Sequence, residues 1–257
     1  MRRCAILAGL ILAGCGSAEE AAPEAVKTAA ATSSSCRETS FENTPLVHCV
    51  ADPARHRIVT ALGPSDAPFR SLAALAGGRP ADASPVAFAV NGGMFDEAGL
   101  PIGYYVEDGK RLKELNRASG AGNFHLLPNG VFFGSSGAWQ VRTAEDFYAN
   151  VSDRPRFGTQ SGPMLVIGGK LHPKIDDNGS SQNIRNGVGV DGSGRAHFVM
   201  SLKPISFGRL ARYYRDELAV ADALYLDGNV SVLWDPASGR LDYGAPIGPM
   251  IVVEEKE

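Results

Sequence analysis

Short apolar segments that end at glycine-containing turns recur along most of the chain, and this pattern restricts the fold more than any other feature. Residues 85–90 are almost wholly apolar, which predicts a strand buried on both faces. Residues 107–109 and 191–194 carry the Asp, Gly and Ser residues that hairpin turns favour. With no internal repeat and no second linker, the sequence predicts one α+β domain over residues 36–257, with many hairpins and few helices.

Two helices are predicted between these strands, and a third segment could form two helical turns. Apolar residues at helical spacing indicate a helix over residues 207–218 that packs on a sheet. Thr143 followed by Asp146 is a capping-box pattern at a helix start. Residues 69–76 fit two helical turns, which the glycine pair at 77–78 would end.

The N-terminus is typical of an export signal. Arg2 and Arg3 precede the apolar segment 4–14, which is shorter than the roughly 20 residues needed to cross a bilayer. The segment ends in Leu-Ala-Gly followed by Cys15, which resembles the bacterial lipoprotein box. The resemblance implies a signal peptide over residues 1–14 and lipidation of Cys15. An ordinary signal peptide with a chance cysteine is the alternative.

Lipidation at Cys15 predicts a protein of the bacterial cell envelope that is anchored to a membrane and faces the periplasm. Residues 16–35 contain no aromatic residue and almost no large aliphatic one, so they bury too little surface to offset their ordering entropy. The segment 15–35 is therefore predicted to be the lipidated cysteine followed by a flexible tether.

Two of the four cysteines are left for the folded domain. Cys4 would leave with the signal peptide and Cys15 would carry the lipid, which leaves Cys36 and Cys49 as an even pair in an oxidising compartment. A disulfide is expected. Metal binding by this pair is the weaker alternative, because the spacing is not C-x-x-C and no histidine cluster accompanies it.

Charge and motif content exclude several classes of protein. Lys plus Arg is 25 and Asp plus Glu is 28, giving a net charge of −3, so wholesale nucleic-acid binding is not expected. The chain has no G-x-S-x-G elbow and no P-loop. Its five histidines are scattered without the spacing of a histidine-rich zinc site.

Polar residues recur beside glycines where the predicted strands begin or end. Asn91-Gly92-Gly93 follows one buried strand, and Asp227-Gly228-Asn229 follows another. Gln160-Ser161-Gly162 and Arg185-Asn186 precede two further strands. Glycines let a ligand approach the backbone closely, and loops fixed on strands commonly carry sites. These loops could together bind a sugar and a phosphate, although Gly and Asn are also ordinary turn residues.

Six motifs in this order resemble the phosphodiester glycosidase family, in particular its bacterial branch: NGGMF at 91–95, GNF at 122–124, PNGVF at 128–132, QSGPM at 160–164, RNGVG at 185–189 and LYLDG at 224–228. The resemblance covers about residues 36–250. It implies a mixed β-sheet core with flanking helices, and removal of a sugar whose anomeric carbon is linked to a phosphodiester. One departure concerns the last motif, because Asn229 and Val230 stand where the family keeps a run of glycines.

A mechanism can be written on these residues. Carboxylates beside the anomeric carbon stabilise an oxocarbenium-like state, so Asp227 is the candidate nucleophile or base and Asp96 a second carboxylate. Arg185 would hold phosphate oxygens through its planar fork of donors. The remaining candidates would bind substrate or orient Asp227: Asn91, Gly92, Gln160, Ser161, Gly162, Asn186, Gly228, Asn229 and Ser231.

The sequence therefore predicts an envelope-anchored hydrolase that cleaves a sugar from a sugar-1-phosphodiester or a related envelope glycan. A lipoprotein that binds glycan or glycolipid without cleaving it, and an exo-glycosidase of exopolysaccharide, are the alternatives. No cofactor is established. A divalent cation, Ca²⁺ or Mg²⁺, stays open because phosphate and Asp227 are both hard oxygen donors.

Overall fold

The computed structural model describes residues 1, 33–64, 67–135, 137–227 and 230–256. Of the two units into which the chain divides, Met1–Ala31 and Thr32–Glu257, only the second is described beyond Met1. The predicted signal peptide and the lipidation site Cys15 therefore lie outside the described residues, as do most of the tether, Gly228 and Asn229. Among the described residues, no helix is both long and apolar enough to cross a membrane.

Strands are the main regular element of the second unit. In chain order they are β1 (Cys36–Phe41), β2 (Thr44–Ala51), β3 (His56–Ala61), β4 (Val86–Asn91), β5 (Tyr105–Glu107), β6 (Lys110–Lys113), β7 (Gly130–Ser135), β8 (Ala138–Thr143), β9 (Phe157–Ser161), β10 (Met164–Ile167), β11 (Lys170–Leu171), β12 (Asn186–Val190), β13 (Ala196–Ser201), β14 (Ala223–Tyr225), β15 (Leu233–Asp235), β16 (Arg240–Leu241) and β17 (Met250–Glu255).

These strands form three sheets, and the ladders between the described strands are antiparallel. The first sheet has the order β1-β2-β13-β12-β14-β10-β11, the second β16-β15-β4-β17-β3, and the third β6-β5-β9-β7-β8. The predicted hairpins at 107–109 and 191–194 join β5 to β6 and β12 to β13. The predicted α+β class is confirmed, but the expectation of a mixed sheet is wrong for the described strands, because their ladders are all antiparallel.

An aromatic trio joins the three sheets in the core. Phe88 of β4 packs edge-on against Phe198 of β13, with ring centroids 5.4 Å apart. Phe132 of β7 packs on the same Phe198 ring at 5.7 Å. All three side chains are buried, and T-shaped contacts of this kind add to the free energy gained by burying the rings. The apolar segment at 85–90 is thus a central strand, as its composition predicts.

Within the described residues, three α-helices flank the sheets: α1 (Leu72–Gly78), α2 (Ala144–Asn150) and α3 (Phe207–Arg212). Ser71 caps α1 by accepting a hydrogen bond from the Ala74 N–H, so this helix begins later than the sequence indicates. Thr143 caps α2 through the Asp146 N–H, as predicted. Short 3₁₀ turns cover Asn123–His125 and Pro236–Ser238.

The amphipathic helix expected over residues 207–218 is present, but only its first half is an α-helix. Ser206 caps α3, and the chain continues as a π-helical turn over Tyr213–Glu217. Leu210, Ala211 and Tyr214 are buried against the first sheet, as their spacing predicts.

The disulfide Cys36–Cys49 is formed, as predicted. The two residues are directly opposite each other in the β1–β2 ladder, where their Cα atoms are 3.9 Å apart. The last residues of the predicted tether also contact the domain. The Ser34 hydroxyl donates to Asp235 Oδ2 across 2.7 Å, and the Val50 N–H donates to the Ser35 carbonyl across 2.9 Å. Ser34 and Ser35, which the sequence assigns to the tether, therefore contact the folded domain.

Candidate functional site

The ends of β4, β12 and β14 meet where the first and second sheets come together. The Asp227 N–H donates to the Gly92 carbonyl across 3.1 Å, which ties the segment after β14 to the segment after β4. The Leu226 N–H donates to the Asn186 carbonyl, also across 3.1 Å. Backbone hydrogen bonds thus bring together three of the segments that the sequence indicates.

Two buried asparagines form the centre of this cluster. The Asn186 Nδ2 donates to Asn91 Oδ1 across 2.8 Å, and the same oxygen accepts from the Val232 N–H across 3.1 Å. Asn91 Nδ2 lies 3.4 Å from the Asp227 carbonyl oxygen, to which it donates. Because buried amides are costly to leave unpaired, this network holds the backbone on both sides of residues 228–229 in one arrangement.

Asp227 and Ser231 lie at the edge of this network. Asp227 is 7% exposed, so its carboxylate is largely withdrawn from solvent. The Ser231 hydroxyl is partly exposed and lies 3.3 Å from the Ile184 carbonyl and 3.4 Å from Asn186 Oδ1, both of which it can reach as donor. The structure therefore groups Asn91, Asn186, Asp227 and Ser231, which we call the asparagine–aspartate cluster.

The glycines beside this cluster are required by close backbone packing. A Cβ at Gly93 would overlap the Gln160 carbonyl oxygen, so only glycine fits. The Gly93 N–H donates to Thr159 Oγ1 across 3.0 Å, and the Gly92 N–H donates to the Pro249 carbonyl across 2.7 Å. Both N–H groups are occupied within the protein, so these glycines join the sheets and do not offer donors to a ligand.

Arg185 lies beneath the surface. Its side chain is fully buried, and each of its three nitrogens donates to a protein oxygen: Nε to the Ile205 carbonyl at 2.9 Å, Nη1 to Tyr225 Oη at 3.0 Å and Nη2 to Ser181 Oγ at 2.9 Å. The guanidinium carbon lies 3.6 Å from the centre of the Phe207 ring. In this arrangement Arg185 does not present its fork of donors to a phosphate.

Tyr225 connects Arg185 to the cluster, and the sequence analysis did not single it out. Tyr225 and Asp227 are separated in the chain by Leu226 alone. Burial raises the pKa of Tyr225 to about 12, the charge and hydrogen bond of Arg185 oppose this shift, and the Asp227 charge adds to it. The phenol is therefore within electrostatic reach of both charged groups. The sequence signal that could have identified Tyr225 is its position two residues before the candidate carboxylate.

Gln160 binds a neighbouring loop. Its Oε1 accepts from the N–H groups of Tyr104 and Asn116, at 2.8 and 2.9 Å, and its Nε2 donates to the Asn116 carbonyl at 2.7 Å and lies 3.4 Å from Asn129 Oδ1. With both amide protons and both oxygen lone pairs engaged, and 2% exposure, this side chain fixes residues 104–116 on β9.

The two residues after Gln160 differ in their capacity for hydrogen bonds. A Cβ at Gly162 would lie 2.8 Å from both the Asn129 Cβ and the Phe124 carbonyl oxygen, so this position is closed by packing. Ser161 is fully buried, and its Oγ makes no hydrogen bond within the described part of the chain. Among Gln160, Ser161 and Gly162, it is Ser161 whose side chain retains unused hydrogen-bonding capacity.

Asp96 occupies a separate turn. Its Oδ1 accepts from the Leu100 N–H across 2.9 Å, and its own N–H donates to the Leu100 carbonyl across 2.9 Å. The residue is exposed and closes the loop over residues 96–100. The Asp96 carboxylate therefore stabilises a turn, and these contacts do not link it to Asp227.

No group of three or more His, Cys, Asp or Glu residues is placed to hold a metal ion in the described ranges. Besides Asp227, the asparagine–aspartate cluster contributes two amides and a hydroxyl and no second carboxylate. This donor set does not fit a dedicated Ca²⁺ or Mg²⁺ site, which takes several carboxylate or carbonyl oxygens.

Three comparisons relate the chain to known proteins. A family model described as phosphodiester glycosidase matches residues 84–253. The uncharacterized protein YigE of Escherichia coli K12 is 38% identical over 171 residues, which is 66% of this chain and 66% of YigE.

Two solved structures have a similar fold. The catalytic domain of zebrafish N-acetylglucosamine-1-phosphodiester alpha-N-acetylglucosaminidase, auto-inhibited by its pro-peptide, has a TM-score of 0.58 at 13% identity, covering 86% of this chain and 82% of that one. A hypothetical protein from Synechocystis has a TM-score of 0.51 at 14% identity, covering 86% and 61%. At these identities the likeness shows a shared fold.

Proposed function

The chain belongs to the phosphodiester glycosidase family, whose model matches more than half of its length, and on that premise we propose that it hydrolyses the bond between the anomeric carbon of a sugar and a phosphodiester. Water is consumed, and the products are the reducing sugar and a phosphate monoester. The observation that carries the proposal is the placement of Asp227 at three converging strand ends, where Asn91 and Gly92 bind its backbone.

Asp227 supplies the carboxylate that this chemistry needs. Glycoside cleavage passes through an oxocarbenium-like state, which a carboxylate stabilises as nucleophile or as general base. Phosphate is a better leaving group than a sugar hydroxyl, so a second strong acid is dispensable. That fits the position of Asp96 in a separate turn.

Arg185 and Tyr225 support Asp227 from the buried side of the cluster. With its pKa near 12, the Tyr225 phenol stays protonated at neutral pH and remains a hydrogen-bond donor. Arg185 fixes the phenol by donating to its oxygen across 3.0 Å. We assign Tyr225 the support of the Asp227 carboxylate, and Arg185 the positioning of Tyr225.

The substrate class and the location are the finer part of the proposal. The printed name of the zebrafish relative refers to N-acetylglucosamine-1-phosphodiester, which makes that linkage the first to test. The sequence at residues 12–15 supports lipidation of Cys15 and an envelope protein facing the periplasm. A phosphodiester-linked sugar of an envelope glycan would be within reach of such a protein.

A substrate panel tests this proposal. The full chain, purified in detergent, is incubated with N-acetylglucosamine and glucose linked through their anomeric carbons to methyl phosphate, and with aryl glycosides of the same sugars. We expect reducing sugar and phosphate monoester from the phosphodiesters alone, and none from Asp227→Asn. Faster cleavage of aryl glycosides would identify a general exo-glycosidase. Binding of the phosphodiesters without product would identify a non-catalytic glycan-binding protein.

A further inference from the structure

A cavity of about 370 Å³ lies against the third sheet. It is bounded by the segment after β6, by α2 and by the residues that follow α2. Its main lining residues are three arginines and three aromatic residues: Arg111, Arg117, Arg154, Tyr104, Phe147 and Tyr148. No member of the asparagine–aspartate cluster lines it. A volume of this size is in the range of small-ligand sites, which start at about 300 Å³.

The cavity has positive charge that its own carboxylates do not neutralise. Arg111 pairs with Glu114 across 2.9 Å. Arg117 and Arg154 lie within 4.0 Å of no carboxylate of the described residues, although Asp153 also lines the cavity. Two guanidinium groups are thus available to an anion. Their forked donors match the geometry of phosphate and carboxylate oxygens.

Tyr104 adds a phenol at the wall. The residue is 5% exposed and lines the cavity, and its hydroxyl makes no hydrogen bond with the part of the chain that the structure describes. Burial raises the pKa of this phenol, while the charges of Arg111 and Arg154 act to lower it. The hydroxyl therefore lies within electrostatic reach of two cavity arginines, as a protonated group that can donate to a ligand oxygen.

Tyr148 adds an exposed aromatic surface. Its side chain is 65% exposed on α2, and the Arg117 guanidinium lies over its ring, 4.2 Å from the centroid. Contact with this ring orients the guanidinium at the cavity. An exposed ring beside forked cations offers an apolar surface to the C–H groups of a sugar and charge to its anionic substituent.

We propose that this cavity binds a sugar that carries an oxyanion, either a phosphate or a carboxylate, at a site separate from the asparagine–aspartate cluster. Arg117 and Arg154 bind the oxyanion, Tyr104 binds a sugar hydroxyl, and Tyr148 contacts the sugar ring. Arg117 also lines a second cavity of about 320 Å³, together with Leu127, Pro128, Asn129, Ala144 and Glu145. An anionic glycan that extends past Arg117 into this second cavity makes additional contacts and should bind more tightly than one unit.

Calorimetric titration of the full chain tests the site. The probes are glucose 6-phosphate, glucuronate, glucose, inorganic phosphate and an oligomer of galacturonate. We expect both anionic sugars to bind, glucose not to bind, and the oligomer to bind at least about tenfold more tightly than glucuronate. Binding of only one anionic sugar would identify which oxyanion the site takes. Inorganic phosphate binding as tightly as glucose 6-phosphate would overturn the sugar part of the proposal.

Exposed residues allow substitution without disturbing the core. Arg117→Ala and Arg154→Ala should each weaken glucose 6-phosphate binding about tenfold, and Tyr148→Ala should weaken the anionic sugars but not inorganic phosphate. Arg215→Ala is the matched control, since Arg215 is a surface arginine that pairs with its neighbour Asp216. Asp227→Asn should bind as wild type, which separates this site from the proposed catalytic one. Wild-type affinity in the Arg117→Ala, Arg154→Ala double variant, or no binding of any anionic sugar by the wild type, would overturn the proposal.

Discussion

The Arg185 guanidinium donates a hydrogen bond to the Tyr225 hydroxyl across 3.0 Å, and both side chains are fully buried. A buried cation is tolerated only when its donors are satisfied, and here two further nitrogens bind the Ile205 carbonyl and Ser181 Oγ. The face of the guanidinium is covered by the Phe207 ring. The arginine is therefore a fixed part of the core that orients a phenol.

This geometry predicts that Arg185→Lys lowers kcat and leaves KM within about twofold, because the substituted group does not touch substrate. An ammonium cannot satisfy Ile205, Ser181 and Tyr225 at once, so the free energy of unfolding should also fall, by at least about 1.5 kcal/mol. Steady-state kinetics on a sugar phosphodiester and denaturant unfolding measure the two effects. A raised KM with unchanged kcat would instead indicate direct contact between the arginine and the phosphate.

Asp227→Asn keeps the shape of the side chain and removes its charge. We expect turnover of a sugar phosphodiester to fall by at least about 10²-fold, since the oxocarbenium-like state loses its carboxylate. The fold should survive, because the hydrogen bonds with Asn91 and Gly92 involve the backbone at residue 227, which the substitution leaves in place. Asp96→Asn is the matched control and should retain activity. Wild-type hydrolysis by Asp227→Asn would remove the assignment.

Local patterns in the sequence are sufficient to predict the strands and helices whose formation depends on residues close together in the chain. The apolar composition of residues 85–90 predicts the central strand β4, and the spacing over residues 207–218 predicts the buried face of α3 and of the turn after it. The proximity of Asn91 to Asp227 also agrees with the sequence pattern, since Asn91 is the last residue of β4 and Asp227 follows the end of β14 by two residues.

Side-chain roles that depend on distant partners could not be predicted in this way. Gln160 binds Asn116 and Asn129, which are 44 and 31 positions away, and no local pattern distinguishes an amide that binds a loop from one that binds a sugar. Arg185 is buried by contacts with Phe207 and Tyr225, on a helix and a strand that follow it. Polarity alone suggests a ligand in both cases.

The asparagine pair gives a prediction about stability. Asn186→Ala removes the donor to Asn91 Oδ1, which is left with one partner, and it also removes the oxygen near the Ser231 hydroxyl. We expect the free energy of unfolding to fall by about 1–3 kcal/mol. We also expect kcat to fall, because residues 227 and 231 lose hydrogen bonds that fix their positions. Chemical denaturation and steady-state kinetics report the two effects. Asn178→Ala, at an exposed position, should change neither. Full activity in Asn186→Ala would show that the network is not needed.

The disulfide predicts a dependence of stability on redox conditions. Cys36 and Cys49 are separated by 13 positions, and closing a loop of that length contributes about 3 kcal/mol in the chain-entropy model. The Cys36→Ser, Cys49→Ser double variant should lose about this much, and reductant should lower the stability of the wild type but not of the double variant. Denaturant titration with and without reductant measures both. Equal sensitivity of the two proteins would contradict the prediction.

Acid should destabilise the fold through a buried histidine pair. His48 Nε2 and His197 Nδ1 are 2.9 Å apart and share one hydrogen bond, which two protonated rings could not form. Burial, with smaller contributions from the charges of His197, Arg37 and Arg195, lowers the pKa of His48 to about 4. Burial also lowers the pKa of His197, although Asp191, which lies 3.0 Å from its Nε2, opposes the shift.

The unfolded chain, with a histidine pKa near 6.5, therefore binds more protons than the folded protein between about pH 6.5 and 4. The contribution of His48 to stability is complete above pH 6.5 and is lost as the pH falls through that window, at up to about 1.4 kcal/mol per pH unit for one proton. His48→Gln should flatten this dependence, whereas His125→Gln, which alters a partly exposed imidazole bound to the Ala118 carbonyl, should leave it unchanged. Urea unfolding at a series of pH values measures the slope, and an unaltered slope in His48→Gln would show that other groups set the acid limit.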